Sequence, residues 1–281
     1  MRFVKLSPTK ANTWLDCPRR FFFTYVDRRR VTSSWAHFSY GNAVHRALRE
    51  WFEADAHDRT PALAERLVIE SWSSDGFRDD DQSRQWRDRA VAMVAAYLAG
   101  IPSNLEPVAT ERTLAFKEEA FVVEGRIDRL DDDVRDPNSN AVIVIDYKTG
   151  KWVPREDDVR GSSALAMYAI MVSRVLGRPC TEVALHHIPS GEVITWTHTS
   201  ESLARQVERM GTIATDIRRA EDTWESIEHD QAAFDEIFPP KPGPLCGFCD
   251  FWDACATGQA HAARKMPWDG LGELDPDSVH R

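Results

Sequence analysis

Four β-branched residues in a row, Val142, Ile143, Val144 and Ile145, run directly into Asp146-Tyr147-Lys148, and few folds accommodate that juxtaposition. An unbroken apolar run this short reads as a strand covered on both faces. Alternate side chains of a strand share a face, so Asp146 and Lys148 must point the same way. A buried strand therefore delivers a carboxylate and an ammonium together at its C-terminal end, where both need partners. The preceding segment, Ala120 to Leu130, carries Val122, Val123, Ile127 and Asp128, and Asp131 to Asn140, with Pro137-Asn138, reads as the turn between the two strands. A hairpin would set Asp128 beside Asp146. Two carboxylates held close repel each other unless a divalent cation sits between them, and hard oxygen ligands suit magnesium or manganese. Lys148 would then orient or deprotonate a water, or offset charge on a phosphate.

Asp128 followed by Asp146-Tyr147-Lys148 resembles the paired signature of the PD-(D/E)xK nuclease superfamily, with Ile127 where the family name has proline. The RecB-like exonuclease branch adds a histidine on an upstream helix, matched here by His45 in Gly41-Asn42-Ala43-Val44-His45. It also adds Gln-x-x-x-Tyr on the helix after the lysine strand; Tyr168 is present and Ala164 stands at the glutamine position. The resemblance implies an α/β fold with a central mixed sheet flanked by helices. It implies metal ligands at His45, Asp128, Asp146 and the Tyr147 carbonyl, and catalytic roles for Asp128, Asp146, Lys148 and Tyr168. Tyr168 serves equally well as a core tyrosine with a polar tip. Glu111, on the first predicted strand, could face the metal, although an ion pair at a strand edge is the better expectation.

Cys246, Cys249 and Cys255 form C-x2-C-x5-C near the end of the chain, while Cys17 stands near its start and Cys180 is left over as a small buried hydrophobe. Three clustered thiols are one short of a tetrahedral site, and Cys17 can supply the fourth if the chain ends meet. No signal peptide or long apolar run is evident, so a reducing, cytoplasmic setting is expected rather than a disulfide framework. Zinc and an iron–sulfur cluster both fit the spacing. The resemblance chooses between them: AddB-type nuclease domains and CRISPR adaptation exonucleases use this one-plus-three arrangement for a [4Fe–4S] cluster, and Leu6-Ser7-Pro8-Thr9 with Cys17-Pro18-Arg19-Arg20-Phe21 is similar to theirs. Such a cluster would be a structural staple, leaving zinc at the four cysteines as the alternative.

At 281 residues and a formal net charge of −10, the chain can bury a full core and is no simple basic-surface DNA binder. The local exception is Arg19, Arg20, Arg28, Arg29 and Arg30, interleaved with Phe21, Phe22, Phe23 and Tyr25. Arginines among aromatics suit a groove for a single strand, while a core-facing aromatic stripe with a solvated flank is the equally weighted alternative. Periodicity predicts helices at Lys10 to Asp27, Tyr40 to Ala56, Pro61 to Trp72, Gln82 to Leu98, Ser162 to Leu176 and Ser200 to Arg219, and strands at Val108 to Phe116, Ala120 to Leu130, Ala141 to Tyr147, Glu182 to Ile188 and Glu192 to Thr197. This reads as one nuclease domain over residues 1–265, with a helical region at about 40–100, a catalytic core at about 106–200, an iron–sulfur region where Cys17 meets 246–255, and a flexible tail from 266 to 281.

The expected activity is hydrolysis of DNA phosphodiester bonds, on single strands or free ends, using Mg2+ or Mn2+. The expected settings are repair, recombination, phage replication or CRISPR adaptation. A structure-specific endonuclease and a non-catalytic DNA-binding or adaptor subunit that keeps the fold and cluster are the competing readings. No G-x-x-x-x-G-K-[ST] loop occurs, so any unwinding would come from a helicase or recombination partner. Neither a membrane association nor a particular oligomeric state is implied.

Overall fold

The computed structural model describes residues 3–31, 34–118, 120–135, 138–228 and 230–271. Pro137, one of the residues marking the expected turn, and residues 272–281 of the expected tail lie outside the described residues.

The chain opens with a short strand β1 (Val4–Leu6), helix α1 (Pro8–Asp16) and helix α2 (Pro18–Phe21), which runs on into a π-helical turn at Phe22–Val26. Ser7 caps α1 by accepting from the Lys10 amide at 3.1 Å, with Pro8 at the first helical position. The single helix expected over Lys10 to Asp27 is broken at Cys17, whose backbone is extended at φ −163 and ψ 105. Pro18 causes the break, because its ring disfavours the helical conformation in the residue before it. A helical region follows: α3 (Ala36–Glu53), α4 (Pro61–Ser71) and α5 (Asp80–Ala99), the last capped by Asp79, which accepts from the Gln82 amide at 2.7 Å.

Next come β2 (Ala109–Lys117), β3 (Phe121–Asp132), β4 (Val142–Lys148), α6 (Glu156–Arg160), α7 (Ser163–Leu176), β5 (Glu182–His187), β6 (Glu192–Thr197) and the long α8 (Ser200–Ser226). Short helices α9 (Phe234–Ile237) and α10 (Ala256–His261) close the described chain. The strands form one mixed sheet in the order β1-β3-β4-β5-β6, with β2 paired along the other edge of β3. β1 pairs parallel to Phe121–Val123 at the start of β3, whereas β4 pairs antiparallel to Arg129–Asp132 at its end. Between them, residues 124–128 of β3 have no strand on that edge. This break in the ladder leaves room for side chains at the centre of the sheet.

Strand alternation divides the core. Val142 and Val144 join Leu6, Phe21, Ile127, Leu130, Leu165, Met171 and Ile217 on one face, where α7 and α8 pack. Ile145 and Tyr147 join Val44, Leu48, Trp51, Val68, Trp86 and Val94 on the other, under the helical region. Each fully buried aliphatic side chain contributes roughly 1.5–3 kcal/mol, so a strand covered on both faces is held far more firmly than its length alone would allow. α7 ends at Gly177, whose φ of +66 is the left-handed cap that glycine adopts without a Cβ clash. Part of the expected tail is docked: the Pro267 carbonyl accepts from the Ala36 amide at 3.1 Å, and Leu271 is buried against α3. No helix among the described residues is long and apolar enough to cross a membrane.

Candidate active site

The antiparallel register pairs Arg129 with Ile145, so one step further the side chains of Asp128 and Asp146 lie side by side on neighbouring strands. There the ladder gives way to a side chain: Asp128 Oδ2 accepts the Tyr147 amide at 2.8 Å. Lys148, on the same face as Asp146, forms an ion pair with it. α3 brings His45 in from the side, with Nδ1 at 3.3 Å from Asp128 Oδ1 and 3.9 Å from Glu111 Oε1. The ligand atoms of His45, Glu111 and Asp128 all lie within 4.8 Å of one another. One imidazole nitrogen among hard carboxylate oxygens is a donor set that fits Mg2+ or Mn2+.

Glu111 was the residue sequence reasoning undervalued. It makes the expected ion pair, with Arg126 at 2.7 Å, and also faces the cluster. Its backbone sits at φ +44, in the left-handed region that a strand residue avoids, a strain of about 1–3 kcal/mol that persists only where the surroundings impose it. No local sequence signal marks it; the register of β2 sets it opposite Asp128, between Thr110 paired with Arg129 and Arg112 paired with Ile127.

Electrostatics mark the same residues. Burial pushes the Asp146 carboxyl up, Lys148 pulls it back, and nearby Asp128 adds repulsion; it remains above the ordinary carboxylate value. Glu111 is raised by burial and then by Asp128, against Arg126 and His45. Burial opposes charge on His45, yet the hydrogen bond and charge of Asp128, followed by Asp146 and Glu111, carry its pKa above the ordinary imidazole value. Like charges about 4 Å apart repel by about 4 kcal/mol at an effective dielectric near 20, so the three carboxylates stand together only because His45, Arg126 and Lys148 face them.

α7 covers the break in the ladder. A Cβ at Gly125 would lie 2.8 Å from Tyr168 Cε1 and 2.8 Å from Met171 Cε, so only glycine lets α7 approach β3 this closely. Burial, then Asp146 and Asp128, raises the Tyr168 phenol, which stays protonated beside the acids. Ala164, one turn earlier on α7, offers no polar group there. On the opposite face, Arg129 is 2 % exposed, with Nη1 3.2 Å from the Tyr147 hydroxyl and 3.3 Å from the Tyr97 hydroxyl, and Nε 3.0 Å from Asp131 Oδ1. Tyr97 in turn donates to His186 Nδ1 at 2.8 Å, and burial and Arg129 hold His186 neutral, with a pKa of about 3. This network ties α5, β3, β4 and β5 together directly behind Tyr147.

Cys17, Cys246, Cys249 and Cys255 line one cavity of ≈ 270 Å³ that Arg20, Phe23, Phe251 and Trp252 help to close. The break at Cys17 turns its thiol toward the C-terminal segment. Cys180 is buried in the core. Arg19 does not belong to a DNA groove: its guanidinium is buried, donates to the Phe238 carbonyl at 2.9 Å, pairs with Asp235 and lies 4.1 Å over the Phe234 ring. Phe21, Phe22 and Phe23 are core residues, which removes them as stacking platforms. Of that cluster, Arg28, Arg29 and Arg30 are exposed, with Arg29 paired to Asp27 at 2.5 Å. A core-facing aromatic stripe with a solvated flank describes the segment.

A family model, the PD-(D/E)XK nuclease superfamily, matches residues 5–256. No curated protein matches. Among solved structures, a candidate exonuclease from Eubacterium rectale aligns at 10% identity and a TM-score of 0.45, covering 76% of this chain and 79% of that one. SSO0001 aligns at 14% identity and a TM-score of 0.36, covering 94% of this chain and 89% of that one.

Proposed function

Because the chain belongs to the PD-(D/E)XK nuclease superfamily, we propose that it is a metal-dependent deoxyribonuclease of the RecB-like branch, cutting single-stranded DNA or DNA ends as an exonuclease. The observation that carries this reading is the convergence of His45, Glu111 and Asp128, with Asp146 and Lys148 beside them on the neighbouring strand. His45, Glu111, Asp128, Asp146 and the Tyr147 carbonyl would hold a divalent cation. That cation supplies Lewis acidity and a lowered pKa for its bound water. Lys148, half-exposed and paired with Asp146, would offset charge developing on the scissile phosphate and orient the attacking water. Asp128, fixed by the Tyr147 amide, sets the register of the two acidic strands. Tyr168 closes the α7 side with a neutral hydroxyl.

The same reading assigns a [4Fe–4S] cluster to Cys17, Cys246, Cys249 and Cys255 as a staple. What supports a shared site is that all four cysteines line one cavity; four thiolates suit zinc as well as iron–sulfur, which leaves zinc as the alternative occupant. The staple would brace the helix that carries His45: Trp35, just before α3, donates to Asp250 at 2.6 Å and its ring meets Phe248 at 5.6 Å in a tilted contact, both partners within the cysteine segment.

Two measurements test this. Asp146→Ala should abolish cleavage of linear DNA with Mn2+ while leaving the circular dichroism spectrum unchanged; a variant cutting at the wild-type rate would sink the assignment. Closed circular DNA should survive where linear DNA is degraded, and linearisation of circles would replace the exonuclease reading with an endonuclease one.

A further inference from the structure

Of the ten tryptophans in the chain, only Trp152 lies fully open to solvent, at 83% exposure. A tryptophan presents roughly 150–250 Å² of largely apolar surface, and isolated exposure of this degree at an unremarkable place would carry no meaning. Its place is four residues beyond Lys148.

The loop that carries it is held at both ends. At its root, the Ile188 amide donates to the Lys148 carbonyl at 2.9 Å. His187, 2 % exposed, donates Nε2–H to the Gly150 carbonyl at 2.8 Å and accepts at Nδ1 from the Ser190 hydroxyl at 2.8 Å. Thr149 rests against α3, with its hydroxyl 3.4 Å from where a Cβ on Gly41 would stand. At the far end, the Arg155 amide donates to Asp158 at 2.7 Å and Val159 is fully buried. Between these anchors residues 151–153 are exposed, so a fixed scaffold presents an open indole on the loop that leaves Lys148. Lys151 Nζ lies 5.9 Å from its ring centroid, and Lys151 and Arg155 are both exposed, so the loop carries two cations in sequence on either side of the indole.

α3 repeats the pattern. Phe38, Gly41 and His45 fall at positions i, i+3 and i+7, on one face of the helix. His45 belongs to the acidic cluster, Gly41 touches the loop root, and Phe38 is 56% exposed. Seven residues at 1.5 Å each place Phe38 about 10 Å from His45 along the helix, roughly three stacked nucleotides at 3.4 Å. An exposed indole with a lysine at its ring, and a second exposed aromatic on the His45 face of α3, match what a single strand needs: bases stack without sequence preference while phosphates meet positive groups.

We propose that Trp152 is a base-stacking residue that captures an unpaired nucleotide next to the cleavage site and thereby selects single-stranded DNA over duplex. The proposal rests on the deoxyribonuclease reading above and names its substrate. Paired bases inside a duplex keep their faces buried in the stack and only a terminal pair exposes one, so a duplex without ends cannot make this contact.

The test uses the full chain and short end-labelled oligonucleotides with Mn2+, comparing wild type with Trp152→Ala and Trp152→Phe. Stacking on one base is expected to make KM and the binding constant about 5- to 150-fold better in wild type than in Trp152→Ala, with kcat at saturation within threefold and the melting temperature unchanged. Trp152→Phe should recover most of the loss. The difference in binding should vanish on a relaxed, covalently closed duplex circle, which has no terminal pair, and the differences in binding and KM should vanish on a single strand carrying abasic sites tiled across the region of the cut, a signature that a merely structural role would not produce. A Trp152→Ala variant with wild-type KM and affinity for single strands, in an enzyme that cuts them, overturns the stacking role alone. Trp152-dependent binding by a wild type that never cuts overturns the nuclease reading and leaves the contact standing. A wild type that neither binds nor cuts overturns both.

Discussion

Replacing Arg129 with methionine should expose how much of the site is held from behind. The guanidinium is buried, pairs with Asp131 at 3.0 Å and meets the hydroxyls of Tyr97 and Tyr147. Methionine fills much of the volume but leaves Asp131, whose side chain is 16% exposed, without its cation. Breaking a buried pair by removing one partner costs about 3–5 kcal/mol. For 281 residues, at about 2.1 cal/mol/K of unfolding entropy per residue, the melting temperature should fall by about 5–8 °C. The pH dependence has a definite sign. Burial already holds the Asp131 carboxyl above its ordinary value despite Arg129, and without Arg129 it rises further. The folded variant then keeps a proton that the unfolded chain releases, so its stability falls as pH rises from the ordinary carboxylate value through the raised one. The deficit relative to wild type, read by thermal denaturation, should therefore be smaller at pH 5 than at pH 8. Arg129→Met with Asp131→Asn should regain most of the loss and lose the extra pH dependence. A single variant melting within about 2 °C of wild type at pH 8, or a deficit that widens toward pH 5, would refute the reasoning.

Gly125→Ala should force Tyr168 and Met171 outward, costing about 1–3 kcal/mol as overpacking and lowering kcat, both read on one preparation by melting and by turnover of single-stranded DNA. Glu111→Gln should weaken Mn2+ binding at least tenfold by calorimetry while the fold stays intact, because the amide keeps the shape and loses the charge; unchanged affinity would remove Glu111 from the ligand set. Cys17→Ser, purified without oxygen, should yield colourless protein where wild type is brown, and should melt lower as the link between the chain ends opens; a variant retaining full iron and colour would exclude Cys17 as a ligand.

Five of the six strands were legible in the sequence because they alternate or run apolar with sharp turn residues between them: β6 matches the expected Glu192 to Thr197, and β4 and β5 differ from their expected spans by a single residue at their ends, whereas the three-residue β1 (Val4–Leu6) is too short to show a period and was not expected. The juxtaposition of Asp128 with Asp146 followed from the hairpin and from period-two geometry alone. What was not legible depended on long-range contacts. Arg19 reads as a surface cation until the Phe234 to Phe238 segment, more than two hundred residues away, covers it. Glu111 reads as an edge residue because nothing local signals a left-handed backbone in a strand. The helix broken at Cys17 was readable from Pro18, but the apolar spacing on either side of it continued as though uninterrupted. His187 and Arg129 look like ordinary strand residues, and their roles emerge only once Gly150 and Tyr147 are seen beside them.

The most direct measurement is digestion of single-stranded DNA, labelled separately at each end, with Mg2+ or Mn2+, by anaerobically purified wild type and Lys148→Ala. The account predicts that wild type degrades the strand only when a divalent ion is present, releasing one end label before the other, and that Lys148→Ala, equally folded and with the same iron content, does not cut. Cleavage by Lys148→Ala at the wild-type rate, or no cleavage by wild type with its iron intact, would contradict it.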